Sequence, residues 1–92
     1  MNKKLKKAIE KMEKRTSAII KIQDYDDIQD GMKTMSNRYK YALWIYGVKM
    51  NNGQYIEVNC GNGRVIARFI TQIEAINAIN LKEFDSYIIP EV

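Results

Sequence analysis

The sequence predicts an α+β domain, an antiparallel sheet packed by helices. Three observations predict it: an N-terminal stretch with apolar residues at helical spacing, a central stretch that alternates with period two between glycine turns, and a capped amphipathic segment after it. At 92 residues, 46% hydrophobic and 28% charged, the chain suits one domain with a modest core.

The first element is a basic amphipathic helix over 1–22, where Leu5, Ile9, Met12, Thr16 and Ile19 recur at alternating steps of four and three. A competing division ends the helix at Arg15 and makes TSAIIKI a strand, because Ile19, Ile20 and Ile22 are β-branched. The longer helix is the expectation carried forward. Asp26 or Asp27 can cap a second helix, over 27–39, whose apolar stripe is Ile28, Met32, Met35 and Tyr39. Gly31 weakens it by about 1 kcal/mol relative to alanine.

Residues 41–70 read as a three-stranded meander, since Asn52-Gly53 and Asn62-Gly63 each supply the positive-φ pair of a two-residue hairpin turn. Such turns set Val48 opposite Glu57 in the first hairpin, and Glu57 opposite Arg68 with Val58 opposite Ala67 in the second. One face then collects Leu43, Ile45, Ile56, Val58, Cys60, Val65, Ala67 and Phe69, a core face. The other collects Trp44, Tyr46, Val48, Met50, Tyr55, Glu57, Asn59, Arg64, Ile66 and Arg68, which places aromatic and basic side chains where water is expected. Thr71 and Glu74 form a capping box for a helix over 72–82, with Ile73, Ile76 and Ile79 directed at the sheet. DSYIIPEV reads as a short last strand over 86–90, at a sheet edge because of Pro90.

Several kinds of chemistry drop out. The chain has no histidine, so the commonest general base and metal ligand is missing, along with every Ser-His, Cys-His and HExxH constellation. GNG at 61–63 lacks both the GxGxxG spacing and a following helix. DYDDIQD at 24–30 departs from a calcium loop, because Gly31 is displaced and no glutamate stands at the bidentate position. No catalytic residue, metal site or cofactor is expected. The single cysteine, Cys60, makes no internal disulfide and reads as a small buried side chain. No apolar run approaches the roughly 20 residues of a membrane span, and the lysine-rich start lacks the pattern of a secretory signal. A cytoplasmic location is the expectation.

What remains points to binding. Residues 1–22 carry eight Lys/Arg against Glu10 and Glu13, a local charge of +6, while the rest of the chain is nearly balanced. Lys3, Lys4, Lys6 and Lys7 in the first turns oppose the helix macrodipole, an arrangement that phosphates or an acidic protein would relieve. The candidate binding residues are Lys3, Lys4, Lys6, Lys7 and Lys11 on the helix with Trp44, Tyr46, Tyr55, Arg64 and Arg68 on the strands. The aromatic face has two explanations: an open stacking platform, or the floor under the N-terminal helices in a three-layer sandwich that leaves Tyr55, Arg64 and Arg68 accessible. Partial burial of Trp44 follows from the second.

In its bias toward lysine, isoleucine, asparagine and tyrosine, its size and its lack of catalytic equipment, the chain resembles the host-directed accessory proteins of phages and mobile elements. The resemblance is one of composition and transfers no functional residue. The expected function is a non-catalytic binding protein for nucleic acid, RNA or DNA, or for a nucleic-acid-associated complex. The alternative is a protein-only inhibitor or adaptor, as a homodimer zipped through the first helix.

Overall fold

A computed structural model describes residues 2–24 and 39–88. Within them the order is α1 (Lys3–Thr16), β1 (Ala18–Asp24), β2 (Tyr41–Lys49), β3 (Tyr55–Glu57), β4 (Arg64–Phe69) and α2 (Gln72–Asn80). The fold is α+β: an antiparallel sheet with both helices on one face. The helix expected over 27–39 lies outside the described residues except for Tyr39, which is not helical.

The helix expected over 1–22 is shorter. Asn2 caps α1, its side-chain Oδ1 accepting from Lys4 N–H at 2.7 Å. Ser17 ends it in the left-handed conformation at φ 58°, donating its N–H to Glu13 O. From Ala18 the burial pattern switches to period two: Ala18, Ile20 and Ile22 are buried while Ile19 and Lys21 are exposed. β-branched isoleucines lose little in a strand, and here each second one enters the core. The division of the chain near Arg15 is therefore the correct one, displaced by a single residue.

β2 is the centre of the sheet. β1 pairs along one edge of it, from Ala18↔Val48 to Asp24↔Tyr41. β3 and β4 also pair with β2, over 47–49 and 41–45 respectively, so both lie end to end on its other edge. This is not a meander. β3 and β4 form one interrupted strand, and residues 58–63 make an excursion between its halves.

Turn chemistry explains the difference. At the first turn, Met50 N–H donates to Gln54 O and Gly53 N–H to Met50 O, which closes a three-residue loop with Gly53 at φ 86°. The register is therefore Val48↔Ile56, one residue from the expected pairing with Glu57. At the second, Asn62 has φ −75° and supplies no hairpin pair. The left-handed pair is instead Asn59 and Cys60, at φ 53° and 54°. Val58 N–H still donates to Tyr46 O, and Val58 O then accepts from both Gly61 and Gly63 N–H, at 3.1 and 3.0 Å. The chain thus returns to where it left the ladder. Arg68 pairs with Ala42 and Ala67 with Leu43, so the expected Glu57–Arg68 and Val58–Ala67 pairs do not form. Cys60, expected in the core, is exposed in this excursion.

One core lies between the helices and the sheet. Leu5, Ala8, Ile9 and Met12 of α1 meet Ala75, Ala78 and Ile79 of α2 over Ile20, Ile22, Leu43, Ile45, Val48 and Phe69. α2 turns further than its isoleucine pattern implies: Ala75 and Ile79 are fully buried, whereas Ile73 is 69% exposed. The alanines let α2 sit close to α1. Arg15 fastens the two helices, with Nε 2.6 Å from Asp85 Oδ2 and Nη2 2.6 Å from Ile79 O, an end-of-helix carbonyl. The strand expected over 86–90 does not begin there: Asp85–Tyr87 is a 3₁₀ turn that drops Ile88 into the core, and residues 89–90 lie outside the described part.

Candidate nucleic-acid interface

The side of the sheet away from the helices follows from the register, because directly paired residues share a face. Ile19 with Gly47, Lys21 with Trp44, and Gln23 with Ala42 belong to this outer face. So do Lys49 with Tyr55, Gly47 with Glu57, Trp44 with Val65, and Ala42 with Arg68. No helix among the described residues packs on it, and Trp44, Tyr46 and Val65 take no part in the core cluster.

Two irregularities decide which residues arrive there. In β2, the register passes from Ile19↔Gly47 to Ile20↔Ile45, so Tyr46 is an extra residue that reverses the phase of the strand. Val48, expected on the aromatic face, turns into the core. In β4, the register passes from Leu43↔Ala67 to Trp44↔Val65, which makes Ile66 the extra residue. Ile66 then packs against the core and Val65 joins the aromatic face, the reverse of the expected alternation.

Trp44 and Tyr46 are half-buried and stacked, with ring centroids 6.1 Å apart and planes 17° from parallel. Trp44 Nε1 donates to Gln23 Oε1 at 3.0 Å, which holds the indole across β1. Lys21 Nζ stands 5.3 Å from the centre of the Tyr46 ring, within cation–π range. Tyr46 also lies on Gly63, so the 58–63 excursion braces the ring from behind: a Cβ on Gly63 would stand 2.7 Å from Tyr46 Cδ1. Tyr55 folds over Gly47, where any side chain would collide with its ring. Ala42 and Gly47 are buried, whereas Ile19, Lys21, Lys49, Tyr55 and Arg68 are exposed, so the face has accessible side chains at both ends.

The expected site residues therefore divide. Trp44, Tyr46, Tyr55 and Arg68 share the outer face. Arg64 does not, since its partner is Ile45, on the helix side of the sheet. Lys3, Lys4, Lys6, Lys7 and Lys11 are exposed on α1, also on the helix side. The expected floor under the N-terminal helices is absent as far as α1 is concerned: Leu5 and Ile9 pack on Leu43 and Ile45, not on Trp44. Ile28 and Met35 lie outside the described residues. Trp44 is half-buried, stacked on Tyr46 and hydrogen-bonded to Gln23.

Lys21, Gln23 and Lys49 are the residues that sequence reasoning missed. The signal for Lys21 was present in the strand division of TSAIIKI, which alternates it with Ile20 and Ile22. No cluster of metal-ligating side chains occurs among the described residues, and none of their helices is long and apolar enough to cross a membrane. No protein-family model matches the chain, and no curated protein or solved structure matches it.

Proposed function

We propose that this protein is a non-catalytic binding module, acting in the cytoplasm, that takes single-stranded nucleic acid, free or within a nucleic-acid-associated complex, on the outer face of its sheet. The observation that carries the reading is the stacked Trp44–Tyr46 pair with Lys21 over Tyr46. Every base has a π-face, so aromatic rings on a sheet accept bases without regard to sequence, and cations beside them meet the phosphates. Tyr55 extends the row of rings, and Lys21, Lys49 and Arg68 outnumber Glu57 among the charges of the face. The composition suits a phage or mobile-element accessory protein that occupies a host factor, and nucleic acid held by such a factor would be the bound species.

The protein-only alternative loses one of its supports. A homodimer zipped through α1 needs an apolar seam, but Leu5, Ile9 and Met12 are consumed by the protein's own core.

The test is a titration of Trp44 fluorescence with an oligothymidylate of about 12 nucleotides, within the range of single-strand site sizes. Binding should quench the indole and weaken steeply as salt rises. Tyr55→Ala should cost about 1 to 3 kcal/mol of affinity while leaving the fold intact, because the ring is exposed. No quenching at low salt, or binding indifferent to salt and to Tyr55→Ala, would overturn the reading in favour of a protein partner.

A further inference from the structure

α1 carries a second basic surface that the outer face does not use. Lys4, Lys7, Lys11 and Lys14 follow one another at steps of three, four and three, so they form a single row about 15 Å long on the solvent side of the helix. Of the acids of α1, Glu13 accepts from Ile20 N–H and so marks the flank toward β1, whereas Glu10 borders the row, three residues after Lys7 and four before Lys14, and offsets one of its four charges. Arg15 marks the opposite flank, bound to Asp85, and no lysine of the row enters an ion pair among the described residues.

The row works against the helix that bears it. Lys7 and Lys11 are like charges at i,i+4, Lys3 and Lys7 likewise, and the first turn contains no acid to meet the positive end of the helix. An arrangement that costs stability and is relieved by anions has charge complementarity to a phosphate backbone. The lysines are exposed, and the apolar side of the helix is sealed in the core, which leaves no hydrophobic edge to insert into a lipid surface.

The row and the aromatic platform lie on opposite sides of the sheet, with the hydrophobic core between them. We infer that one copy of the chain holds two segments of nucleic acid at once: bases of a single strand stacked on Trp44, Tyr46 and Tyr55, and the phosphate backbone of a second segment along Lys4, Lys7, Lys11 and Lys14. The protein is then a bridge, and its activity is to bring strands together. The inference rests on the single-strand reading of the outer face.

The test uses the full chain, an oligothymidylate with a donor dye and a random-sequence duplex with an acceptor dye. Energy transfer reports bridging, Trp44 quenching reports the outer face alone, and mass measurement of the complex reports how many protein copies it contains. Energy transfer should appear with one protein copy per complex and fall again at excess protein, when each segment acquires its own copy. A variant with Lys4, Lys7, Lys11 and Lys14 all changed to Gln should keep Trp44 quenching within about threefold and lose energy transfer. Its log–log salt slope for duplex binding should flatten by about 3 to 4, as expected for four phosphate contacts removed. Tyr55→Ala should weaken the single-strand arm and leave duplex binding unchanged. Quenching without energy transfer in the parent protein would overturn the bridge and leave the outer-face reading intact. Undiminished energy transfer in the lysine variant, two protein copies per complex, or tighter binding of that row to phosphatidylserine vesicles than to duplex would also overturn it. Absence of quenching in the parent would overturn both.

Discussion

At Gly63 two constraints meet that are separate elsewhere in the chain. Its φ is +80°, and a Cβ would stand 2.7 Å from the Tyr46 ring and 3.0 Å from Ile45 O, a backbone atom that cannot step aside. Gly53 has the first constraint alone, with φ +86° and nothing within 4 Å. Gly53→Ala should therefore cost about 1 kcal/mol, from backbone conformation only. Gly63→Ala should cost more, about 2 to 4 kcal/mol, because crowding adds to the conformational term. Thermal melts of the two variants check this, and equal melting temperatures would mean that the 58–63 excursion does not brace Tyr46. Trp44 offers a second test at this scale. Its ring is half-buried against Tyr46 and held by Gln23, so Trp44→Ala should cost about 1 to 3 kcal/mol, less than the roughly 3 to 5 kcal/mol of a fully buried ring. Its emission should lie between those of buried and free indole, with partial access to a quencher.

Among the elements, the junctions of α1 hold the most specific chemistry. Ser17 ends the helix at φ 58°, a conformation that glycine adopts without penalty. Ser17→Gly should thus stabilise the protein by about 0.5 to 1 kcal/mol. Denaturant unfolding checks this, and an unchanged or lower midpoint would mean that the left-handed serine carries no strain. Arg15 should matter more than the acid it pairs with. Asp85→Asn removes a partly exposed ion pair, worth about 0 to 1 kcal/mol. Arg15→Ala also removes a part-buried, charge-assisted hydrogen bond to the carbonyl of Ile79, which keeps Lys82 N–H at 3.1 Å, and should cost about 1 to 2 kcal/mol. If the two variants unfold at the same denaturant concentration, the bond to Ile79 contributes nothing.

On the scale of the whole molecule, the distribution of charge is as informative as the fold. Changing Lys3, Lys4, Lys6 and Lys7 to Gln should leave the melting temperature unchanged or raise it slightly, because all four are exposed in turns where cations oppose the helix dipole. The same variant should bind duplex nucleic acid more weakly and with a flatter salt dependence. A drop of several degrees in melting temperature would show instead that the lysine stems pack on the protein surface.

Local rules were legible in the amino-acid sequence wherever a few neighbouring residues suffice to satisfy them. The α+β class, the buried stripe Leu5, Ile9 and Met12, the glycine of the first hairpin loop, and Thr71 as the cap of α2 through its bond from Glu74 N–H all belong here. So does the presence of an aromatic and basic strand face, because alternation already sets Trp44 and Tyr46 apart from Leu43 and Ile45. Tertiary structure decided the rest. The residues Ala18–Asp24 satisfy helical and strand patterns alike, and only pairing with β2 makes the strand the better use of their isoleucines. The extra residues at Tyr46 and Ile66 leave no mark on the sequence, yet each reverses a strand's phase, so that Val48 and Arg64 turn away from the rings while Val65 joins them and Arg68 stays. α2 buries Ala75 and Ala78 in place of Ile73 because it must fit against α1 and the sheet together, and small side chains permit that approach. Which side of the sheet receives α1 is a property of no single segment: it depends on where a common core can close, and that choice puts the lysines and the aromatic platform on opposite sides of the molecule.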